Sequence, residues 1–182
     1  MKYLLKHPRL AIVLLLAALL FGFWLYRKQR LNHWDLKNHP PSDQTVVCFG
    51  DSLVYGSGAT GADSTYPAQL KKITGLEVKV FGFPGATSRS ALKILRNNPR
   101  VKGGIVIVTL GGNDFLRQVP LSQTRQYLKQ VFEILQGRGA LVVYTGVPGG
   151  RTAKYKKLCK NTGVVLVPDV LDNILSQRNL RA

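Results

Sequence analysis

From residue 45 onward, short β-branched runs alternate with segments of helical period, and few folds accept that order. Runs rich in Val and Ile occupy 45–49, 77–81, 104–109, 140–144 and 164–167. Between them, apolar positions recur at helical spacing over 66–73, 88–97, 122–137 and 152–160. The runs are continuous, as expected of strands covered on both faces. This succession predicts a doubly wound parallel sheet with helices on both sides, a three-layer α/β/α domain. In such folds ligands bind beyond the carboxyl ends of the strands, so the residues at those ends carry the functional information.

Ahead of the domain, residues 10–26 form an uncharged, almost wholly apolar run, about 26 Å long as a helix and near the lower limit for a bilayer core. Trp24 and Tyr26 lie where interfacial aromatics belong. A cleaved signal peptide would need a small-x-small site after the run, but Phe23-Trp24-Leu25-Tyr26 and then Arg27-Lys28 follow. A soluble core helix would show a polar face, and this run has none. Residues 1–30 therefore read as an uncleaved membrane anchor. Basic residues flank it on both sides, so charge does not set its orientation. The polar, Pro-bearing residues 31–44 read as a linker, and 45–182 as the domain.

The formal charge of +17 suits an acidic partner, whether nucleic acid, anionic lipid or substrate. Lys154, Lys156, Lys157 and Lys160, near Arg151, are the one dense cluster, and at helical spacing they most simply form a solvated face. No zinc-finger spacing or RNA-binding aromatic signature accompanies them, so nucleic acid is not expected. All three histidines, His7, His33 and His39, precede residue 40, and no Cys/His metal pattern exists. No metal or cofactor is expected. Cys48 reads as a small buried hydrophobe, and a disulfide with Cys159 has no support from spacing.

Three strand ends stand out. Gly50-Asp51-Ser52-Leu53 follows the first run, Gly82-Phe83-Pro84-Gly85-Ala86-Thr87-Ser88 the second, and Leu110-Gly111-Gly112-Asn113-Asp114 the third. Acyl transfer needs a hydroxyl close to a carbonyl carbon and donors where the oxygen becomes negative. Ser52 can supply the hydroxyl and an N–H, Gly85 a second N–H with no side chain in the way, and Asn113 an amide N–H₂. Gly56-Ser-Gly58-Ala-Thr-Gly61 matches G-x-G-x-x-G, but it starts seven residues after Phe49, whereas a dinucleotide motif begins at the strand end. Val54 likewise stands where the G-x-S-x-G elbow requires glycine.

These blocks resemble the GDSL/SGNH hydrolase family over roughly residues 45–171. Phe49-Gly50-Asp51-Ser52-Leu53 is similar to its nucleophile block, and Gly82-x-x-Gly85 to its second block, with Val80 where the family usually has Asn. The stretch Val106-Ile-Val-Thr-Leu-Gly-Gly-Asn-Asp-Phe-Leu-Arg117 is similar to the third. The resemblance implies a flavodoxin-like sheet, a Ser52 nucleophile, and an oxyanion hole from the N–H groups of Ser52 and Gly85 with the Asn113 side chain. It also implies a small acyl ester or thioester substrate. A domain on the outer face of the inner membrane rests on the same resemblance.

The family's D-x-x-H block is the missing piece, because no histidine follows His39. Asp169 and Asp172 read as helix-start residues. Two expectations result. Either this is a membrane-anchored ester or thioester hydrolase whose C-terminal block is lost from the chain, or it is a non-catalytic or degenerate ligand-binding protein on the same fold.

Overall fold

The computed structural model describes residues 35–146 and 152–168, with backbone only at 152 and 153. Apart from Asp35, they belong to one compact unit, Leu36–Ala182. β1 (Val46–Gly50), β2 (Val78–Gly82), β3 (Ile105–Thr109), β4 (Leu141–Thr145) and β5 (Val165–Val167) pair in parallel in the order β2-β1-β3-β4-β5. This is the flavodoxin-like order, and the chain reverses direction across the sheet at β1 and β3. In register, Gly50 of β1 stands beside Gly82 of β2 and Thr109 of β3, so three strands end level.

The helices are α1 (Ser52–Tyr55), α2 (Tyr66–Thr74), α3 (Ser88–Asn97), α4 (Gly112–Leu116), α5 (Leu121–Gly137) and α6 (Thr152–Thr162), with a single 3₁₀ turn at Ala62–Ser64. Right-handed crossovers put α3, α5 and α6 on one face, where α5 packs against both of the others, and α1 and α2 on the other face beside β2. Local chemistry sets the helix starts. Thr87 caps α3 through the Ser90 N–H while Ser90 Oγ accepts from the Thr87 N–H, a reciprocal capping box. Asp51 caps α1 and Thr65 caps α2.

β1 is buried along its whole length, as its apolar run predicts. The two edge strands depart from the expectation of cover on both faces. β2 pairs only with β1, and Val80 is half exposed. β5 is only partly buried, with Val167 exposed. Beneath α5 and α6, Phe132, Tyr144 and Tyr155 stack at centroid separations of 5.5 Å. The buried Tyr144 hydroxyl donates to the Leu110 carbonyl at 3.0 Å. Cys48 and Cys159 are both free and buried, and burial pushes the Cys159 thiol up to about 12.

The segment read as linker up to residue 44 is tied to the domain from Lys37 onward. The Lys37 N–H donates to the Gly163 carbonyl, and Asn38 Nδ2 to the carbonyls of Gln136 and Ala140. Asp43 accepts from the N–H groups of Thr45 and Gly104, which holds its carboxyl below its ordinary range. Among the described residues no helix is long and apolar enough to cross a membrane. The apolar run at 10–26, His7, His33, Asp169 and Asp172 lie outside the described residues.

Candidate functional site

The strand-end loops after β1, β2 and β3 meet at the carboxyl edge of the sheet, and each pair of loops is joined. The Asp51 N–H donates to the Thr109 carbonyl at 3.2 Å, linking the first loop to the third strand. The Phe83 N–H donates to the Gly50 carbonyl at 2.9 Å, linking the second loop to the first. Gly82 permits that approach: a Cβ there would collide with the backbone nitrogen of Tyr55 in α1. The second and third loops are held by Asn113 Nδ2 on the Ala86 carbonyl (3.1 Å) and by Asp114 on Ser88.

Ser52 is the first residue of α1, placed there by Asp51, whose Oδ1 accepts from the Leu53 N–H at 3.0 Å. The short helix leaves Ser52 partly exposed at the edge. Among the described residues, neither the Ser52 N–H nor its Oγ has a hydrogen-bond partner. Asp51 itself is buried, and its carboxyl is raised above its ordinary range, first by burial and further by the charge of Asp114, against the lowering effect of the Leu53 N–H.

Gly85 occupies the third position of a turn in which the Ala86 N–H donates to the Phe83 carbonyl at 3.0 Å. With Pro84 at the second position and φ of +74° at Gly85, this is a type II turn, which requires glycine there. The Gly85 N–H finds no acceptor among the described residues, whereas its carbonyl accepts from Arg117 Nη2 at 3.1 Å. Asn113 donates one amide hydrogen to the Ala86 carbonyl, and the other finds no acceptor among the described residues. Unsatisfied donors therefore stand on all three loops, on Ser52, Gly85 and Asn113.

Two parts of this edge escape sequence reasoning. Asp114 is 1% exposed and accepts from the Ser88 N–H (2.8 Å), Ser88 Oγ (2.6 Å) and Thr124 Oγ1 (3.4 Å). It anchors the residue after Asn113 to the N-terminus of α3, where a carboxylate is favoured. An acid beside the candidate amide, in an otherwise apolar-to-glycine transition, is the only sequence signal for it. Tyr66, Thr109 and Thr145 form the second part. The Tyr66 hydroxyl lies 3.2 Å from Thr109 Oγ1, which is 2.9 Å from Thr145 Oγ1, and burial raises the Tyr66 hydroxyl above its ordinary range.

No group of three or more His, Cys, Asp and Glu side chains suited to a metal occurs among the described residues. A cleft of about 390 Å³ lined by Lys37, Asn38, Glu133, Gln136 and Gly137 opens at the opposite edge of the sheet, and no strand-end candidate lines it. His39, exposed, lies before β1 and so on that same far side.

A parallel sheet in this order, with three joined strand-end loops, is the fold of the SGNH hydrolases. Residues 48–179 match the profile of the GDSL-like Lipase/Acylhydrolase family, and the chain belongs to that family. Among solved structures, it is similar to AlinE4, an SGNH-hydrolase family esterase, at 27% identity and a TM-score of 0.68, covering 78% of this chain and 84% of that one. It is similar to TesA at 25% identity and a TM-score of 0.69, covering 76% and 86%. The psychrotrophic esterase EstA from Pseudoalteromonas sp. shares the fold at 20% identity and a TM-score of 0.66, covering 77% and 85%. Comparison with curated proteins gives no match.

Proposed function

We propose that the protein is a serine hydrolase for carboxylic esters or thioesters that works through an acyl-enzyme on Ser52. The observation that carries this reading is the set of unsatisfied donors on three mutually bonded loops: the N–H groups of Ser52 and Gly85 and one N–H of Asn113. Attack by Ser52 Oγ on the acyl carbon would place a negative oxygen among them, and stabilising that oxygen is the largest part of acyl-transfer catalysis. The carbonyl would then re-form as the alcohol or thiol leaves, and water would release the acid. The similarity to the esterase AlinE4 supports the same class of substrate. The apolar run at 10–26 supports a single-pass anchor; a domain on the periplasmic side of the inner membrane rests on the family resemblance alone.

The proton of Ser52 needs an acceptor, and the sequence contains no histidine after His39. β1 spans roughly 16 Å, which separates residues before it from Ser52 after it. Asp114 is committed to Ser88, and Asp51 to Leu53. Donors and binding without a base leave about 10³–10⁴-fold acceleration over water. The 182-residue chain should therefore show little turnover of short aryl esters, and a segment bearing D-x-x-H placed after Ala182 should raise it in a Ser52-dependent manner. That no histidine lies among residues 40–182 leaves a second reading, a non-catalytic protein that binds acyl ligands at the same donors. Turnover that stays at background in the extended chain, with ligand binding retained, would select that reading.

A further inference from the structure

We infer that the outer face of the α3, α5 and α6 layer is a docking surface for anionic lipid head groups. The fold assembles this face from segments far apart in the chain. On α3, Ser88, Ala91, Leu92 and Leu95 are buried, which turns Arg89, Lys93 and Arg96 outward as an exposed stripe at i, i+4 and i+7. On α6, Tyr155 and Cys159 point inward, and Lys154, Lys156, Lys157 and Lys160 are all exposed. α5 packs against both helices and adds exposed Lys129. The one exposed acid on these three helices is Glu133, 3.5 Å from Lys129. No other cation of this face has a carboxylate within ion-pair distance among the described residues. Among the described residues, α1 and α2 carry only Lys71 and Lys72, with Asp63 nearby in the chain, so the described positive charge is greater on the α3, α5 and α6 face.

Lipid head groups fit this face better than nucleic acid does. The large apolar side chains exposed among the described residues lie on α1, α2, α4, β2 and β5, and none lies on α3, α5 or α6. The face therefore has no aromatic platform for unpaired bases and no apolar wedge, only cations at the reach of a charged plane. The apolar run at 10–26 would keep such a plane within reach, at an effective concentration that makes weak electrostatic contacts sufficient.

The test is amine-acylation footprinting of the full chain, read lysine by lysine by mass spectrometry, with phosphatidylcholine vesicles or vesicles rich in phosphatidylglycerol. The expected result is several-fold slower acylation of Lys93, Lys154, Lys157 and Lys160 with the anionic vesicles only. Lys71 and Lys72 should be unchanged, and protection should vanish near 1 M salt, where the screening length falls to about 3 Å. The variant Arg89→Glu/Lys154→Glu/Lys157→Glu should lose protection at Lys93 and Lys160, while Lys71→Glu/Lys72→Glu should keep it. Equal rates with both vesicles, or equal protection of Lys71 and Lys72, would overturn the inference. So would protection by duplex DNA or RNA where anionic vesicles give none, which would assign the face to nucleic acid. The readout does not involve Ser52 and is independent of the hydrolase reading.

Discussion

Replacing Asp114 by alanine should destabilise the domain by about 2–4 kcal/mol, because it orphans donors that burial keeps from water. The carboxylate holds the Ser88 N–H and Ser88 Oγ at 2.8 and 2.6 Å, and both residues are almost fully buried. Each buried donor left unpaired costs about 1–3 kcal/mol. Thr124 is the lesser loss, since its Oγ1 retains the Pro120 carbonyl at 3.4 Å. Asp114→Asn supplies the control. With Oδ1 on the Ser88 N–H and Nδ2 donating to Ser88 Oγ, both contacts persist without the charge, and the cost should fall to about 1 kcal/mol. Urea unfolding followed by far-UV circular dichroism, in mild detergent and at constant m-value, measures both. A loss below about 0.5 kcal/mol for the alanine variant, or equal losses for the two variants, would refute the argument.

Other positions give separate expectations. Asp51→Asn keeps an N-cap for α1 but removes a buried charge beside Asp114. Because the folded carboxyl is raised, its ionisation costs stability as pH rises from the unfolded value of 3.8 through the folded one. The asparagine variant should therefore lose that pH dependence and be no less stable at pH 7, as unfolding across an acid-to-neutral series would show. Gly85→Ala forces a side chain at φ +74° and places its Cβ 3.4 Å from Arg117 Nη2. A cost of about 1–2 kcal/mol should appear in urea unfolding, together with slower labelling of Ser52. In a form provided with a base, Asn113→Ala should lower kcat by about 10²–10³ with KM nearly constant, and a large KM change at constant kcat would make Asn113 a binding residue instead. Carbonate extraction of the full chain should leave it in the membrane pellet, and release by carbonate alone would contradict the proposed anchor.

Much of the architecture was legible because continuous Val/Ile runs and helical spacing are local signals. The helix predicted at 88–97 forms at Ser88–Asn97, and the strands lie within a residue or two of their runs. α1 and α4 were not legible, since four and five residues are too few to show a period. The exposure of Val80 follows from strand order, which the composition of the run does not encode. At the edge, Ser52, Gly85 and Asn113 stood out as small polar residues after strands. Asp114 did not, because its meaning lies in a contact with Ser88 across two loops. The basic face was visible only in part: the α6 lysines cluster in sequence, whereas the α3 stripe joins them only through packing on α5.

The central proposal, that Ser52 sits on a working set of oxyanion donors and would react once a base is supplied, is tested most directly by chemical rescue. The full chain would be treated with an alkyl fluorophosphonate over a series of imidazole concentrations, and the modified residue identified by mass spectrometry. The account predicts slow labelling at Ser52 that rises with imidazole, falls in Asn113→Ala and disappears in Ser52→Ala. Labelling that is insensitive to imidazole and to Asn113, or that falls on residues other than Ser52, would contradict it.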